Sequence, residues 1–259
     1  METFNLDKKE LQYFYSTIDK DTYVLIEATI NTFALISLFK DLVKEVVIAN
    51  THQLKSVGIL WKKTNKIDTF KLAEKLKAQV ISGVKQIVPV IIPPKEIRDL
   101  RALFTTYGTL RKEIGHTKNR IHSLLKENLF PFTKEYIFGK KTRKEIRTIS
   151  DDAVLSFQIN LLIDTLQHLE DTFEKIVMEI RKAGSFFMPQ IEILTSMSDI
   201  SVVTALAIIA DIFDITRFRN SKHFASYLRS VPLVESSNDK TIIKSTTKTG
   251  RRLLITLLS

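Results

Sequence analysis

The chain has 259 residues, a formal net charge of +10 at pH 7 and no cysteine. Without cysteine it has no disulfide, no thiolate nucleophile and no cysteine-based zinc site. The excess of Lys and Arg favours nucleic acid or another anionic surface as the partner. Only seven glycines and six prolines interrupt the chain, which predicts a mostly helical protein.

The first residues lack the basic region and the apolar region of a signal peptide. No apolar run approaches the ~18 residues that a helix needs to cross a bilayer. The sequence therefore predicts a cytoplasmic protein with no membrane partner.

The N-terminal part of the chain alternates between helical and strand patterns. Residues 5–18 predict an amphipathic helix, and residues 22–26 (TYVLI) predict a buried strand that ends at Glu27. A helix over 31–42 and a second buried strand over 45–49 (EVVIA) follow, and this alternation predicts a parallel sheet. Glu27 lies at a strand end, where α/β folds gather active-site ligands, although the position also suits a solvated acid.

An apolar connector separates this part from the rest of the chain. Residues 83–94 are rich in β-branched side chains and end in Pro93-Pro94. Because a residue before proline avoids the helical conformation, a helix begins no earlier than Lys95. We place a domain boundary after residue 94.

Two long helical patterns follow the connector. The first runs from Lys95 to about Asn128, and a basic segment over 133–148 links it to the second. The second helix carries apolar residues at alternating spacings of four and three, which is a heptad seam. Its members are Leu155, Ile159, Leu162, Leu166, Leu169, Phe173, Ile176 and Ile180. The pattern predicts a long antiparallel helical coiled coil, in which the seam serves either an intramolecular bundle or self-association with a second copy.

The positive charge is concentrated in two segments. Residues 95–148 contain fourteen Lys or Arg and six acids, and residues 217–252 contain nine Lys or Arg and two acids. The remaining residues are net negative, so these two segments are the predicted anion-binding parts of the chain.

A polar stretch lies within the second basic segment. Pro232 ends the helical pattern that runs through Tyr227, and Ser236, Ser237 and Asn238 predict a loop beyond it. These residue types favour an ordinary turn, because their side chains hydrogen-bond nearby backbone. Hydroxyls among cations also suit a phosphodiester partner.

Several short motifs follow one another in this segment. RFRNSKHFASYL begins at Arg217, and Val231-Pro232, Ser236-Ser237 and Thr247-Lys248-Thr249-Gly250 come after it. This order and spacing resemble the C-terminal domain of the DEDD-type bacterial transposases of insertion sequence family 110, the 116/110/902 group. The resemblance implies an RNA-guided DNA recombinase, in which a serine of this domain attacks a DNA phosphodiester with the help of Mg²⁺.

The resemblance assigns roles to residues of the C-terminal segment. Ser237 is the expected nucleophile, with Ser236 as the neighbouring candidate. Lys248 and Arg251 would balance the charge on the phosphate under attack. The expected nucleic-acid contacts of this segment are Arg217, Arg219, Lys222, Lys248 and Arg251.

The N-terminal part resembles the metal-binding, RNase H/RuvC-like domain of the same family. Leu25-Ile26-Glu27-Ala28-Thr29 and the segment from Lys63 to Asp68 carry this resemblance. It implies that Glu27 and Asp68 bind Mg²⁺, a cation that prefers carboxylate oxygens. Taken alone, Asp68 equally suits a helix N-terminus, where the dipole favours an acid.

The sequence also departs from the family pattern. Asn65 stands where the family has a third acid, and an amide oxygen is a weaker ligand for Mg²⁺ than a carboxylate. The family's first acid has no counterpart before Glu27, and the chain ends where the family usually continues. We therefore expect a transposase truncated at both ends and impaired in activity. The alternative is an inactive remnant that only binds nucleic acid and dimerises.

The middle of the chain resembles the family's dimer-forming coiled coil, which also helps to hold guide RNA. The expected RNA contacts there are Arg111, Lys118 and Arg120. At Met197–Ser201 the family's two hairpin glycines are replaced, so phosphate binding at that hairpin is not expected. The predicted organisation is an α/β part that is an incomplete RNase H/RuvC-like domain (1–94), the antiparallel coiled coil (95–185) and a mostly α-helical C-terminal transposase domain (186–259).

Overall fold

The computed structural model describes residues 8–29, 31–49, 65–85, 87, 90–130, 138–227, 232–237 and 240–246. At residues 8, 65–68, 140, 226, 232–237 and 240–246 it describes the backbone only. The chain divides into two compact units, Met1–Ile92 and Pro93–Ser259. The boundary predicted between residues 185 and 186 lies inside the second unit, and the family assignment of the three predicted domains stays a prediction.

The first unit is a small α/β arrangement. Its elements are helix α1 (Lys8–Ser16), strand β1 (Tyr23–Glu27), helix α2 (Thr32–Phe39), strand β2 (Glu45–Ala49) and helix α3 (Asn65–Ser82). The two strands pair in parallel, with Tyr23 opposite Glu45 and Glu27 opposite Ala49. The predicted parallel sheet is confirmed, whereas its RNase H/RuvC-like character stays a prediction.

Both faces of this sheet are covered, as expected for strands that are apolar on both sides. Val24 and Ile26 pack with α1 and α2 through Phe14 and Phe39. The alternate residues Tyr23 and Leu25 pack towards α3, in a cluster that contains Leu72, Leu76 and Ile87. The period of two along a strand therefore explains why one five-residue segment contacts helices on both sides.

The second unit is built on an antiparallel helix pair. Helix α4 (Lys95–Glu127) and helix α6 (Ala153–Ala183) are its long members, and the short helix α5 (Lys140–Arg147) precedes α6. One apolar cluster joins the start of α4 to the end of α6 through Ile97, Leu100, Phe104 and Ile180. Another joins the end of α4 to the start of α6 through Ile121, Leu125, Ile159 and Leu166. The pair is therefore antiparallel along its whole length.

The predicted heptad seam lies largely at this intramolecular contact. Ile159, Leu166 and Ile180 of the seam are buried, and Phe173 and Ile176 pack at the edge of the first cluster. The seam residues therefore pack within one chain, which is the intramolecular alternative. A coiled coil between two copies stays a prediction.

The remaining elements complete the second unit. After α6 a 3-10 turn (Gly184–Phe187) leads into helix α7 (Met188–Thr195) and helix α8 (Val202–Ile212). A second 3-10 turn (Ile215–Arg217), helix α9 (Ser221–Tyr227) and strands β3 (Pro232–Ser237) and β4 (Lys240–Thr246) follow. Ser201 caps α8, because its hydroxyl accepts a hydrogen bond of 3.1 Å from the Thr204 amide.

The polar loop expected at Ser236 and Ser237 is a strand. The two residues end β3, which pairs antiparallel with β4 so that Ser236 lies opposite Thr241 and Ser237 opposite Lys240. Only residues 238 and 239 separate the strands. The sequence prediction weighed the turn-forming side chains and overlooked the β-branched run Thr241–Ile243, which supplies the second strand of a hairpin.

Candidate nucleic-acid interface

The site begins at the turn that follows α8. Asp214 accepts hydrogen bonds from the Thr216 amide at 2.9 Å and from the Thr216 hydroxyl at 2.7 Å. These two bonds hold the pKa of the Asp214 carboxyl below its usual value, and the nearby charge of Arg217 adds to the effect. The capped turn fixes the backbone from which Arg217 projects.

Arg217 lies in a cradle of two aromatic rings. Its guanidinium carbon is 4.7 Å from the centre of the Phe218 ring and 4.6 Å from the centre of the Tyr227 ring. The two ring centres are 5.1 Å apart and their planes meet at 58°. Cation–π attraction therefore holds the guanidinium against both rings, and this links the turn to the last residue of α9.

The Nε–Nη2 edge of the Arg217 guanidinium is not accessible to solvent. Nε and Nη2 of Arg217 are shielded from solvent, and neither has a hydrogen-bond partner within the described parts of the chain. Nε–H and the adjacent Nη2–H lie on the same side of the planar group. This is the edge that pairs with both oxygens of a carboxylate or a phosphate.

Tyr227 is also tied to the end of α8. Its hydroxyl donates a hydrogen bond of 3.1 Å to the carbonyl of Asp211. Arg101 of α4 donates to the carbonyls of Ala210 at 2.6 Å and Asp211 at 3.2 Å. These donors satisfy carbonyls that the last turn of a helix leaves unpaired. Arg101 counts towards the basic segment in the sequence but is engaged inside the fold.

Two other predicted cations of this segment lie on the surface. Arg219 and Lys222 are exposed on either side of Asn220, which caps α9 by accepting a hydrogen bond of 3.0 Å from the His223 amide. Lys248 and Arg251 lie outside the described residues. Around the end of α8 and the start of α9, the structure therefore brings together Arg217, Arg219 and Lys222.

The two candidate nucleophiles lie on the hairpin backbone. Ser236 and Ser237 occupy the last two positions of β3, next to the turn. Neighbouring positions of a strand lie on opposite faces, so the two serines occupy different faces of the hairpin. Their side chains lie outside the described part of the structure.

The structure places the predicted metal ligands only in part. Glu27 is exposed at the end of β1. Asn65 and Asp68 begin α3, but their side chains are not among those described. Within the described residues, no three His, Asp or Glu side chains form a group able to hold a metal ion. The predicted Mg²⁺ site stays a prediction.

The three predicted RNA contacts of α4 differ in their surroundings. Arg111 and Arg120 are exposed. Lys118 lies 3.3 Å from the Glu170 carboxylate and 5.2 Å from the centre of the Phe138 ring. Lys118 therefore already has an internal partner, whereas the two arginines face solvent.

Glu170 is the centre of a small ion network. Arg143 of α5 lies 2.7 Å from one carboxylate oxygen and donates a hydrogen bond of 2.9 Å to the other. Burial raises the pKa of the Glu170 carboxyl, but the hydrogen bonds and charges of Arg143 and then Lys118 outweigh it, so the pKa lies below its usual value. The network connects α4, α5 and α6.

The composition and position of this interface agree with a comparison to known families. Residues 191–259 match the family model described as Transposase IS116/IS110/IS902 family. Residues 191–259 are therefore similar to a transposase domain of this family. The match includes the Arg217 cradle and the serine hairpin.

No curated protein matches the sequence. Among the described helices, none is long and apolar enough to cross a membrane.

Sequence reasoning identified Arg217, Arg219 and Lys222 but missed the groups that surround them. Phe218 directly follows Arg217, and Tyr227 lies ten residues along the chain. Aromatic residues that alternate with cations are a signal of stacking, and that signal is present in the sequence. The contact of Arg101 leaves no such signal, because its partner carbonyl is 109 residues away.

Proposed function

We propose that the protein is an insertion-sequence transposase that joins DNA strands through a serine nucleophile, with Ser237 as the attacking residue. The observation that carries the proposal is the family match over residues 191–259, which contains both serines of the hairpin. The cationic surface of Arg219 and Lys222 supports DNA as the substrate, since exposed Lys and Arg neutralise backbone phosphates.

In the proposed step, the Ser237 hydroxyl oxygen forms a bond to phosphorus while the bond from phosphorus to a deoxyribose oxygen breaks. The serine proton passes to a base, and the leaving oxygen takes up a proton. Cations near the phosphate stabilise the charge that builds on its oxygens. Lys248 and Arg251 are our candidates for this role because they follow the hairpin closely in the chain.

Glu27, Asp68 and Asn65 would hold Mg²⁺. Two carboxylates and an amide form a donor set of hard oxygens, which suits this cation. Glu27 is exposed at the end of β1, and α3, whose first turn carries Asn65 and Asp68, packs on the same strand through Leu72 and Leu76. Bound Mg²⁺ would supply Lewis-acid stabilisation of the phosphate.

We further propose that the α4–α6 pair contacts guide RNA and mediates self-association. Arg111 and Arg120 are the RNA contacts we favour, because both side chains are exposed. Lys118 is less suitable because it already forms an ion pair with Glu170. Val154, Phe157 and Leu161 of α6 support self-association. They are 67%, 67% and 54% exposed and recur at helical spacing, away from the buried seam.

The experiment is strand transfer on paired DNA substrates with a structured RNA and Mg²⁺, followed by denaturing electrophoresis to trap covalent adducts of protein and DNA. We expect an adduct in the wild type that is lost in Ser237→Ala and kept in Ser236→Ala, which is the matched control one position away. An adduct that survives Ser237→Ala but disappears in Ser236→Ala would move the nucleophile by one residue.

The second candidate is an inactive remnant that binds nucleic acid without chemistry. Asn65 favours it, since an amide replaces a carboxylate in the expected ligand set. DNA binding without any adduct would support the remnant. A gain of adduct in Asn65→Asp would instead show a damaged but repairable metal site.

A further inference from the structure

The unpaired edge of Arg217 has an energetic consequence. A buried N–H without an acceptor loses its hydration and gains no bond in return, and the loss is larger on a charged group. Arg217 has two such donors, Nε and Nη2, on one edge. Asp214 lies close enough to interact electrostatically, but its Oδ1 already accepts two hydrogen bonds from Thr216. An acceptor from outside the described chain would satisfy both donors at once.

We propose that the Nε–Nη2 edge of Arg217 is a site for one phosphate group, which a DNA phosphodiester fills when the transposase binds DNA. This inference rests on the proposed function and adds to it a specific ligand and geometry. Two parallel donors on a fixed plane match two phosphate oxygens. The rings of Phe218 and Tyr227 hold that plane, so little side-chain freedom is lost on binding.

Charge favours a phosphate over a neutral acceptor. Arg219 and Lys222 follow Arg217 within five residues and both are exposed. The described residues show no carboxylate in an ion pair with Arg217. The cradle therefore offers an anion one paired edge and two further cations nearby.

The paired edge of Arg217 is closed to solvent in this structure. Because both nitrogens are covered, a neighbouring side chain has to move before a phosphate can reach them. Tyr227 is the last residue of α9, it is 37% exposed, and one hydrogen bond to Asp211 fixes its hydroxyl. Phe218 also packs on Phe224 with ring centres 5.2 Å apart, so one face of the guanidinium stays supported if Tyr227 moves.

The test observes the arginine Nε–H signals of the full chain by ¹H–¹⁵N NMR. The probes are sodium phosphate against sodium chloride at equal ionic strength, and then a short DNA duplex. We expect the Arg217 signal, assigned by its loss in Arg217→Lys, to move saturably with phosphate and with DNA. The Arg219 signal, two residues away and exposed, should move little with phosphate.

A binding measurement provides the second arm. Lysine keeps the charge of Arg217 but lacks the paired, planar donors, so Arg217→Lys should weaken DNA binding about tenfold with an unchanged salt dependence. The control Arg181→Lys, at an exposed arginine of α6 outside the interface, should stay within about twofold of the wild type. Equal effects of the two variants would refute the paired site. If Arg217→Lys is poorly folded by circular dichroism, the Arg217 signal is assigned by triple-resonance experiments on the wild type, and the wild-type titration decides.

The outcomes separate this inference from the proposed function. DNA binding with an unmoved Arg217 signal would overturn the inference and leave the transposase proposal intact. A signal that moves with inorganic phosphate, in a protein that does not bind DNA, would support the phosphate site and contradict the proposed function. A signal that moves with phosphate but stays unmoved when DNA binds would show that the site takes free phosphate and refute the DNA assignment.

Discussion

Gly184 shows how one missing side chain allows two elements to pack closely. A methyl group added at this position would lie 2.4 Å from Cδ2 of Leu206, which is fully buried. Gly115 in the middle of α4 is the opposite case, because nothing lies within 4 Å of a methyl group added there. The two glycines therefore form a matched pair for the same substitution.

We expect Gly184→Ala to lower the free energy of unfolding by about 1–3 kcal/mol, because overpacking forces Leu206 from its place. Gly115→Ala should raise it by about 0.5–1 kcal/mol, because alanine restricts the unfolded chain and favours the helix. Urea denaturation followed by circular dichroism measures both. A Gly184→Ala protein as stable as the wild type would show that α8 is free to shift away from the 3-10 turn.

Asp199 occupies a turn position that glycine usually takes. Its φ of 68° is the left-handed conformation that glycine adopts most easily. The sequence analysis expected the loss of the family's glycines to remove phosphate binding at this hairpin, and that stays a prediction. Aspartate tolerates this region better than most residues, so the turn forms without glycine.

At the scale of elements, the ion network of Glu170 holds the short helix α5 against α6. Arg143 contributes to it and also donates a hydrogen bond of 2.9 Å from Nε to the carbonyl of Phe138. Arg147, one turn later, donates a hydrogen bond of 2.9 Å to Asn160 and pairs with Asp164. Two of the cations that make α5 basic are thus used to attach it.

We expect Glu170→Gln to reduce the free energy of unfolding at pH 7 by about 1 kcal/mol, since partial exposure screens the pair. The pKa of Glu170 lies below its usual value, so the carboxylate stabilises the fold above the unfolded-state pKa. This contribution disappears as the pH falls through the folded pKa. Urea titrations from pH 7 down to pH 3 should therefore show the two proteins converge.

Glu174→Gln is the control for this measurement. Glu174 is one turn further along α6 and exposed. Its substitution should leave stability nearly unchanged at every pH. A constant difference between Glu170→Gln and the wild type across the pH range would contradict the electrostatic explanation.

The elements also show what sequence periodicity is able to predict. The seam of α6 was recognisable because each residue's environment repeats every turn, and Ile159, Leu166 and Ile180 are buried as that pattern requires. The hairpin of β3 and β4 was missed because its pairing partner lies across a turn and its residues favour turns individually. Local pattern identified the long helices, while tertiary pairing decided the serine segment.

At the scale of the whole molecule, the net charge overstates the number of cations that are free to bind an external anion. The chain carries +10, yet Arg101, Lys118, Arg143 and Arg147 all make contacts within the second unit. Composition does not distinguish these internally paired cations from exposed ones, because the contacts join residues that are separated in the sequence. For this reason the basic segment was predictable, but which of its cations are exposed was only partly so.

The division between structural and exposed arginines leads to opposite expectations for two variants. Arg111→Ala combined with Arg120→Ala should weaken nucleic-acid binding and reduce the magnitude of the salt-dependence slope by about 1–2, because each lost phosphate contact removes about 0.9. The melting temperature should stay nearly constant, since both side chains are exposed.

Arg143→Ala should lower the melting temperature and leave the salt-dependence slope nearly unchanged, because the Glu170 carboxylate loses its main ion-pair partner. Binding titrations at several salt concentrations and thermal unfolding of both variants measure the two effects. If the Arg111 and Arg120 variant melted early with an unchanged slope, these arginines would belong to the fold, and the nucleic-acid surface would lie elsewhere on the molecule.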